Sequence, residues 1–298
     1  MKFLNPEQFA KIAGLELFSR KIVDGFLSGY HQSSFHGYNV EFADHKTYER
    51  GDDLRNIDWK LFGRTDRLFV KRFHEETNLR SFVLLDNSAS MAFGDSISKW
   101  DYSRVLCASL SFLMLRQKDS VGVWLFNEGL QAMVPPRAKK SHFTSICRFL
   151  ENSSPGGKTF FGESIVGLAR NLKKRSLICV ISDFLGEEDQ IFPALRSLSG
   201  RKHDIIVFHL LSGEEYELPY RGFYRVRDME TGDHLDLRLD AMRSEYQSAV
   251  NAGRRKVMDF CLSAGMDYVQ HTTRTPVEKV LFEYLIKRRR GGRGVVLL

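Results

Sequence analysis

Four short stretches of the chain, residues 82–85, 121–126, 177–181 and 205–211, are almost wholly apolar. Runs of this kind, as opposed to an alternation of apolar and polar residues, mark strands of a parallel sheet covered on both faces. Between them the spacing changes to the helical period. Tyr102, Val105, Leu106, Phe112 and Leu113 predict one helix, and Ile165, Leu168, Ala169 and Leu172 another. Residues 238–264 read as a long helical stretch, Tyr268-Val269-Gln270 as a closing strand, and 277–287 as a last helix. Upstream, Phe9, Ile12, Ala13, Leu15, Leu17, Phe18, Ile22, Val23 and Phe26 predict a helical segment that Gly29 and Gly37 end. Residues 38–73 are rich in charge, aromatics and β-formers, with a strand at Leu68-Phe69-Val70. The expectation is an α/β protein: a central, mostly parallel sheet with helices on both faces, preceded by a small helical and β-rich insert. No internal repeat is visible.

Two of the apolar runs end in oxygen-bearing side chains. The first leads into Asp86-Asn87-Ser88-Ala89-Ser90, and the third ends in Ser182-Asp183. Ligands of open parallel sheets bind beyond the carboxyl ends of the strands, so both aspartates belong to the edge where a site is expected. The intervening loop Gly156-Gly157-Lys158-Thr159 offers a further hydroxyl. One acidic residue and two hydroxyls at a strand end suit a divalent cation, since magnesium takes about six oxygen ligands. Without an ion the two aspartates repel, which raises the pKa of one of them. The competing reading of the serines is that they cap the following helix, a position that favours Ser and Asp.

The order Asp-x-Ser-x-Ser, then Thr, then Asp resembles the metal-ion-dependent adhesion site of von Willebrand factor A domains, over roughly residues 80–275. Further upstream, Tyr48-Glu49-Arg50-Gly51-Asp52-Asp53-Leu54-Arg55-Asn56-Ile57-Asp58-Trp59, then Arg64-Thr65 and Phe73-His74-Glu75-Glu76, resemble the signature of the bacterial DUF58 family. The resemblance implies a von Willebrand A-like, Rossmann-like sheet at 79–288, behind a signature region at 1–78 and ahead of a basic tail at 289–298. It implies that Ser88, Ser90 and Thr159 ligate Mg2+ or Mn2+ through their hydroxyls, with Asp86 and Asp183 acting directly or through water. An ion held mostly by neutral ligands keeps its charge, and so attracts an acidic residue of a partner protein without catalysing a reaction. The partner implied by the resemblance is a MoxR-type AAA+ ATPase.

Composition adds less. The chain has 298 residues, 43% of them hydrophobic, and a formal charge of +7. No stretch reaches the roughly 20 apolar residues of a membrane span, and residues 1–6 lack a signal-peptide pattern, so the expectation is a cytoplasmic protein. Cys107, Cys147, Cys179 and Cys261 are isolated among apolar neighbours and read as reduced core residues. Gly157-Lys158-Thr159 imitates a phosphate-binding loop, but Asn152 occupies the place of its first glycine and no strand precedes it. His31, His36 and His45 lack zinc-ligand spacing. Asp52, Asp53 and Asp58 alternate with Arg50, Arg55 and Arg64, as in an ion-pair network. Together with a metal they form the alternative reading of a phosphoester hydrolase. The +7 charge and the basic residues 287–294 form another, a surface for nucleic acid. Phe160-Phe161 reads as core or as a rim for a partner.

Overall fold

The computed structural model describes residues 14–32, 45–47, 59–71, 80–157, 162, 165, 172, 174–290 and 295–297, with breaks at 66, 128–129, 187, 201–202 and 230–231. Helix α1 (Leu15–Gln32) is followed by strand β1 (His45–Thr47), helix α2 (Trp59–Thr65) and strand β2 (Phe69–Lys71), and β1 pairs antiparallel with β2. The main sheet contains β3 (Arg80–Asp86), β4 (Ser120–Phe126), β5 (Leu130–Arg137), β6 (Ser176–Ser182) and β7 (Asp204–Leu211). A separate antiparallel hairpin, β8 (Phe223–Arg227) with β9 (His234–Arg238), precedes the last two sheet strands, β10 (Asp267–Thr272) and β11 (Val295–Leu297).

The seven strands lie in the order β11-β10-β7-β6-β3-β4-β5, parallel throughout except for β5, which runs antiparallel to β4. Each central strand feeds two cores, because successive side chains point to opposite faces. Val83 and Leu85 of β3 join Cys179 and Ile181 of β6 in one apolar cluster, whereas Phe82 and Leu84 join Ile178 and Val180 in the other. The first cluster is covered by α1, α3 (Lys99–Arg116), α4 (His142–Glu151) and α8 (Val277–Arg290), and the second by α5 (Glu188–Ser199) and α7 (Leu239–Ser263). The α/β architecture with helices on both faces is thus as expected from the apolar runs.

Helix α1 belongs to the first core. Leu15, Phe18, Ile22 and Val23 are buried there, each stabilising the fold by about 1.5–3 kcal/mol relative to exposure. Its first turn is tied to α4 by the Leu15 amide, which donates to Glu151 Oε1 at 2.8 Å. All four cysteines are buried and free.

Three elements differ from the sequence expectations or were absent from them. Strand β5 carries Pro135 and Pro136 inside its run, which an edge strand tolerates because its outer side needs no amide donors. The β8–β9 hairpin is exposed along nearly its whole length, so no buried apolar run announces it. The expected basic tail is partly structured: α8 extends to Arg290, and Val295–Leu297 adds an edge strand beside β10. Residues 48–58 and 73–76 of the signature, His36, the Phe160-Phe161 pair and most of the helix expected around 165–172 lie outside the described residues.

Candidate metal site

The sheet changes winding direction between β3 and β6. From β3 the chain proceeds outward through β4 to β5, then crosses back to β6 and continues in the other direction to β7 and β10. The crevice at the carboxyl ends of two such strands is where doubly wound sheets bind ligands. Asp86 is the last residue of β3, and Asp183 directly follows β6. Both carboxylates are buried, as are Ser88 and Ser90.

Local backbone geometry brings these groups together. After β3 the chain folds back so that the Ser88 amide donates to Asp86 Oδ1 at 2.9 Å, and a 3-10 turn at Ala89–Ala92 follows. After β6, Phe184 takes a left-handed conformation at φ 52°, an uncommon one for a side chain of its size. That turn lets the Leu185 amide donate to Asp183 Oδ1 at 3.1 Å. Ser182 donates its hydroxyl to Asp86 Oδ2 at 2.6 Å. The hydroxyls of Ser88 and Ser90 are 3.1 Å apart, and Ser90 donates to Asp183 Oδ2 at 2.8 Å. Four of the five residues singled out in the sequence, Asp86, Ser88, Ser90 and Asp183, therefore form one connected cluster. The fifth, Thr159, lies outside the described residues. The loop leading to it is fastened to the same rim: Gly156 N donates to Asn87 O at 2.8 Å, Ala89 N donates to Gly157 O at 3.0 Å, and Asn127 Nδ2 donates to Gly156 O at 2.7 Å.

A lysine enters this cluster. Lys99, with its side chain wholly buried, places Nζ 2.7 Å from Asp183 Oδ2 and 2.6 Å from Glu215 Oε1. It is the first residue of α3, after the N-cap Ser98, whose side chain accepts from the Asp101 amide. A cation at a helix N-terminus opposes the helix dipole, and two carboxylates offset that cost. Glu215 is itself held by the short helix α6 (Gly213–Glu217), where it completes a capping box with Ser212. Sequence reasoning missed Lys99 altogether. The capping box, Ser212 followed three residues later by Glu215, was a visible signal, but it announces a helix start and not a partner for a distant lysine.

The electrostatics follow from this geometry. Burial, and secondarily the charge of Asp183, push Asp86 up to about 7, partly opposed by hydrogen bonds from Ser182 and Ser88. Burial acts to raise Asp183 as well, but the Lys99 ammonium and the hydrogen bonds from Lys99, Leu185 and Ser90 outweigh it and hold Asp183 below the usual carboxylate range. Burial would lower Lys99, yet the charges of Asp183 and Glu215 prevail and raise it. The repulsion between the two aspartates expected from the sequence contributes to the rise of Asp86, after burial. Behind the rim, His209 lies beside Asp183 and Phe184 and shares a 2.7 Å hydrogen bond with the Tyr268 hydroxyl. Burial depresses it to about 4.

The oxygen set fits a small divalent ion. Ligands at about 2.0–2.1 Å in an octahedron put neighbouring oxygens about 2.8–3.0 Å apart; the Ser90–Asp183 hydrogen bond of 2.8 Å lies in that range and the Ser88–Ser90 hydrogen bond of 3.1 Å just above it. Among the described residues no group of three or more His, Cys, Asp or Glu side chains could hold a metal.

A family model described as "Protein of unknown function DUF58" matches residues 44–256. The chain belongs to the DUF58 family. An uncharacterised protein of Mycobacterium tuberculosis is 27% identical to this DUF58 chain over 292 residues, covering 96% of it and 92% of the relative, and one of Mycobacterium bovis matches to the same extent. Among solved structures, BatB from Bacteroides thetaiotaomicron is similar at 18% identity and a TM-score of 0.46, over 71% of this DUF58 chain and 99% of BatB. The SpRpn10 VWA domain is similar at 15% identity and a TM-score of 0.39, over 73% and 98% of the two chains. Among the described residues no helix is long and apolar enough to cross a membrane.

Proposed function

We propose that this DUF58 protein is a metal-dependent protein-interaction module, in which Asp86, Ser88, Ser90, Thr159 and Asp183 hold Mg2+ or Mn2+ and the ion receives an acidic residue of a partner. The observation that carries this reading is the spacing of the Ser88, Ser90 and Asp183 oxygens, at 3.1 and 2.8 Å on the winding switch of the sheet. The ion supplies a Lewis-acidic vacancy for a carboxylate. The chain's own contribution is to offer the neutral hydroxyls of Ser88, Ser90 and Thr159 as direct ligands, so that with Asp86 and Asp183 acting through water the ion keeps much of its charge.

The resemblance stated above makes a MoxR-type AAA+ ATPase the proposed partner, and the proposed role is the assembly or activation of other proteins, with no catalytic step at the rim. His209 does not supply a general base, since its Nδ1 is engaged with Tyr268 and burial depresses its pKa. Pull-down of a MoxR-type ATPase from the same cell tests the reading. Retention that needs Mg2+ and is abolished by chelation and by Asp86→Ala is the expected result. Equal retention under all three conditions overturns it, and magnesium-dependent turnover of a phosphoester lost in Asp86→Ala would replace it with a hydrolase.

A further inference from the structure

A wholly buried lysine reaching into a rim that fits a dication calls for an account, because two cations close to one carboxylate oxygen repel each other strongly where water is excluded. Lys99 Nζ sits 2.7 Å from Asp183 Oδ2, the same atom that accepts the Ser90 hydroxyl at 2.8 Å. An ion ligated by Ser90 and drawn to Asp183 therefore meets the Lys99 ammonium at the oxygen they share. The lysine has a second place to bind: Glu215 Oε1 lies 2.6 Å away, on a helix start fixed by the Ser212–Glu215 capping box. Glu215 also lines a cavity of about 300 Å³ next to the rim, together with Ser90, Phe93, Leu185, Asp228 and Met229.

We propose that Lys99 is the built-in counter-cation of the ion-free rim, that it competes with the divalent ion for Asp183, and that ion binding breaks its contact with Asp183 and leaves it on Glu215 alone. The inference rests on the metal-binding reading above and extends it: a lysine takes over part of the ion's electrostatic role at Asp183. A buried carboxylate stripped of its partner is costly, and Lys99 removes that cost for Asp183 when no ion is bound. The arrangement trades ion affinity for independence from the ion.

Calorimetric titration of the full chain with MnCl2, in the wild type, Lys99→Met and Glu215→Gln, tests this. Methionine keeps the length and removes the charge, so Lys99→Met is expected to bind Mn2+ at least about tenfold more tightly, and its melting temperature falls in EDTA and recovers with the ion. The wild type shows a smaller difference between the two conditions, because Lys99 already stabilises its ion-free state and weaker binding gives a smaller shift. Glu215→Gln removes the second place for Lys99, confines the ammonium to Asp183 and weakens Mn2+ binding several-fold, and it decides the matter if Lys99→Met does not fold. Affinity unchanged or weaker in Lys99→Met, or unchanged or stronger in Glu215→Gln, overturns the role of Lys99 while leaving the ion site standing. No Mn2+ binding by any of the three proteins overturns both.

Discussion

Ser182 and Asp86 meet across the seam of two parallel strands: the last residue of β6 gives its hydroxyl to the last carboxylate of β3 at 2.6 Å. Neither residue is exposed, so the carboxylate is ordered by the sheet itself and not by solvent. Together with the Ser88 amide on the other oxygen, the contact fixes the orientation of Asp86 at the rim.

Asp86 makes the ion-free protein less stable as the pH rises. Its folded pKa is raised to about 7, principally by burial, above the roughly 3.9 of an unfolded chain. Between those values the folded state holds more protons than the unfolded one, so this contribution to stability, complete below about pH 4, is lost as the pH climbs through about 7. Asp86→Asn removes the charge, keeps an oxygen acceptor for the Ser88 amide and turns the Ser182 contact round, the side-chain NH2 donating to the Ser182 hydroxyl. Urea unfolding in EDTA is expected to show the variant more stable than the wild type at pH 8 and similar at pH 4, with divalent-ion binding lost. A variant less stable at pH 8 contradicts the account of Asp86 as a carboxylate whose charged form is disfavoured by burial.

Asp183 should behave in the opposite sense. Replacing it with Asn leaves the Lys99 ammonium buried with Glu215 alone, and breaking one partner from a buried pair costs about 3–5 kcal/mol. Chemical denaturation in EDTA at neutral pH measures this. A loss within the error of the wild type would show that Lys99 is not held by Asp183 in solution.

The sheet and both aspartates were legible in the sequence because they depend on short-range pattern: unbroken apolar runs ending in acid and hydroxyl residues define strands and their carboxyl ends. Lys99 was not legible, since its partners, Asp183 and Glu215, are 84 and 116 residues away, and a lysine in a first helical turn ordinarily reads as a solvated side chain. Strand β5 was hidden by its two prolines. The β8–β9 hairpin was hidden because Phe223, Tyr224, Val226 and Leu235 are exposed, so nothing in their burial imposes an alternating pattern. Val295–Leu297 sits behind a run of basic and glycine residues that, in composition, describes a flexible end.

Gly94 connects the 3-10 turn to α3 and thereby sets where Lys99 begins. Its φ is 143°, and a Cβ built there would lie 2.3 Å from the Ile97 carbonyl oxygen. Gly94→Ala therefore forces the backbone to move and is expected to cost more than about 1 kcal/mol. The urea midpoint reads the loss, and a weakened response to Mn2+ should accompany it because the 3-10 turn that precedes Gly94 carries Ser90.

Acid should unfold the protein partly through two histidines. Burial depresses His209 to about 4 and His271 to about 3, below the roughly 6.5 of an unfolded histidine. Their stabilising effect is present above about pH 6.5 and is lost as the pH falls toward 4, the reverse of the Asp86 slope over the same window. His271 packs between the rings of Tyr102 and Phe208, and His271→Phe should flatten the acid limb of the stability profile. An unchanged limb in that variant would assign acid sensitivity to other groups.

Diffraction from crystals grown with MnCl2, recorded to locate the anomalous signal of the metal, tests the central claim most directly. One strong peak is expected at the carboxyl ends of β3 and β6, about 2.1 Å from the Ser88 and Ser90 hydroxyls, with the Thr159 hydroxyl as a further ligand. Crystals that diffract well and show no manganese there, with Lys99 still bridging Asp183 and Glu215, would contradict it.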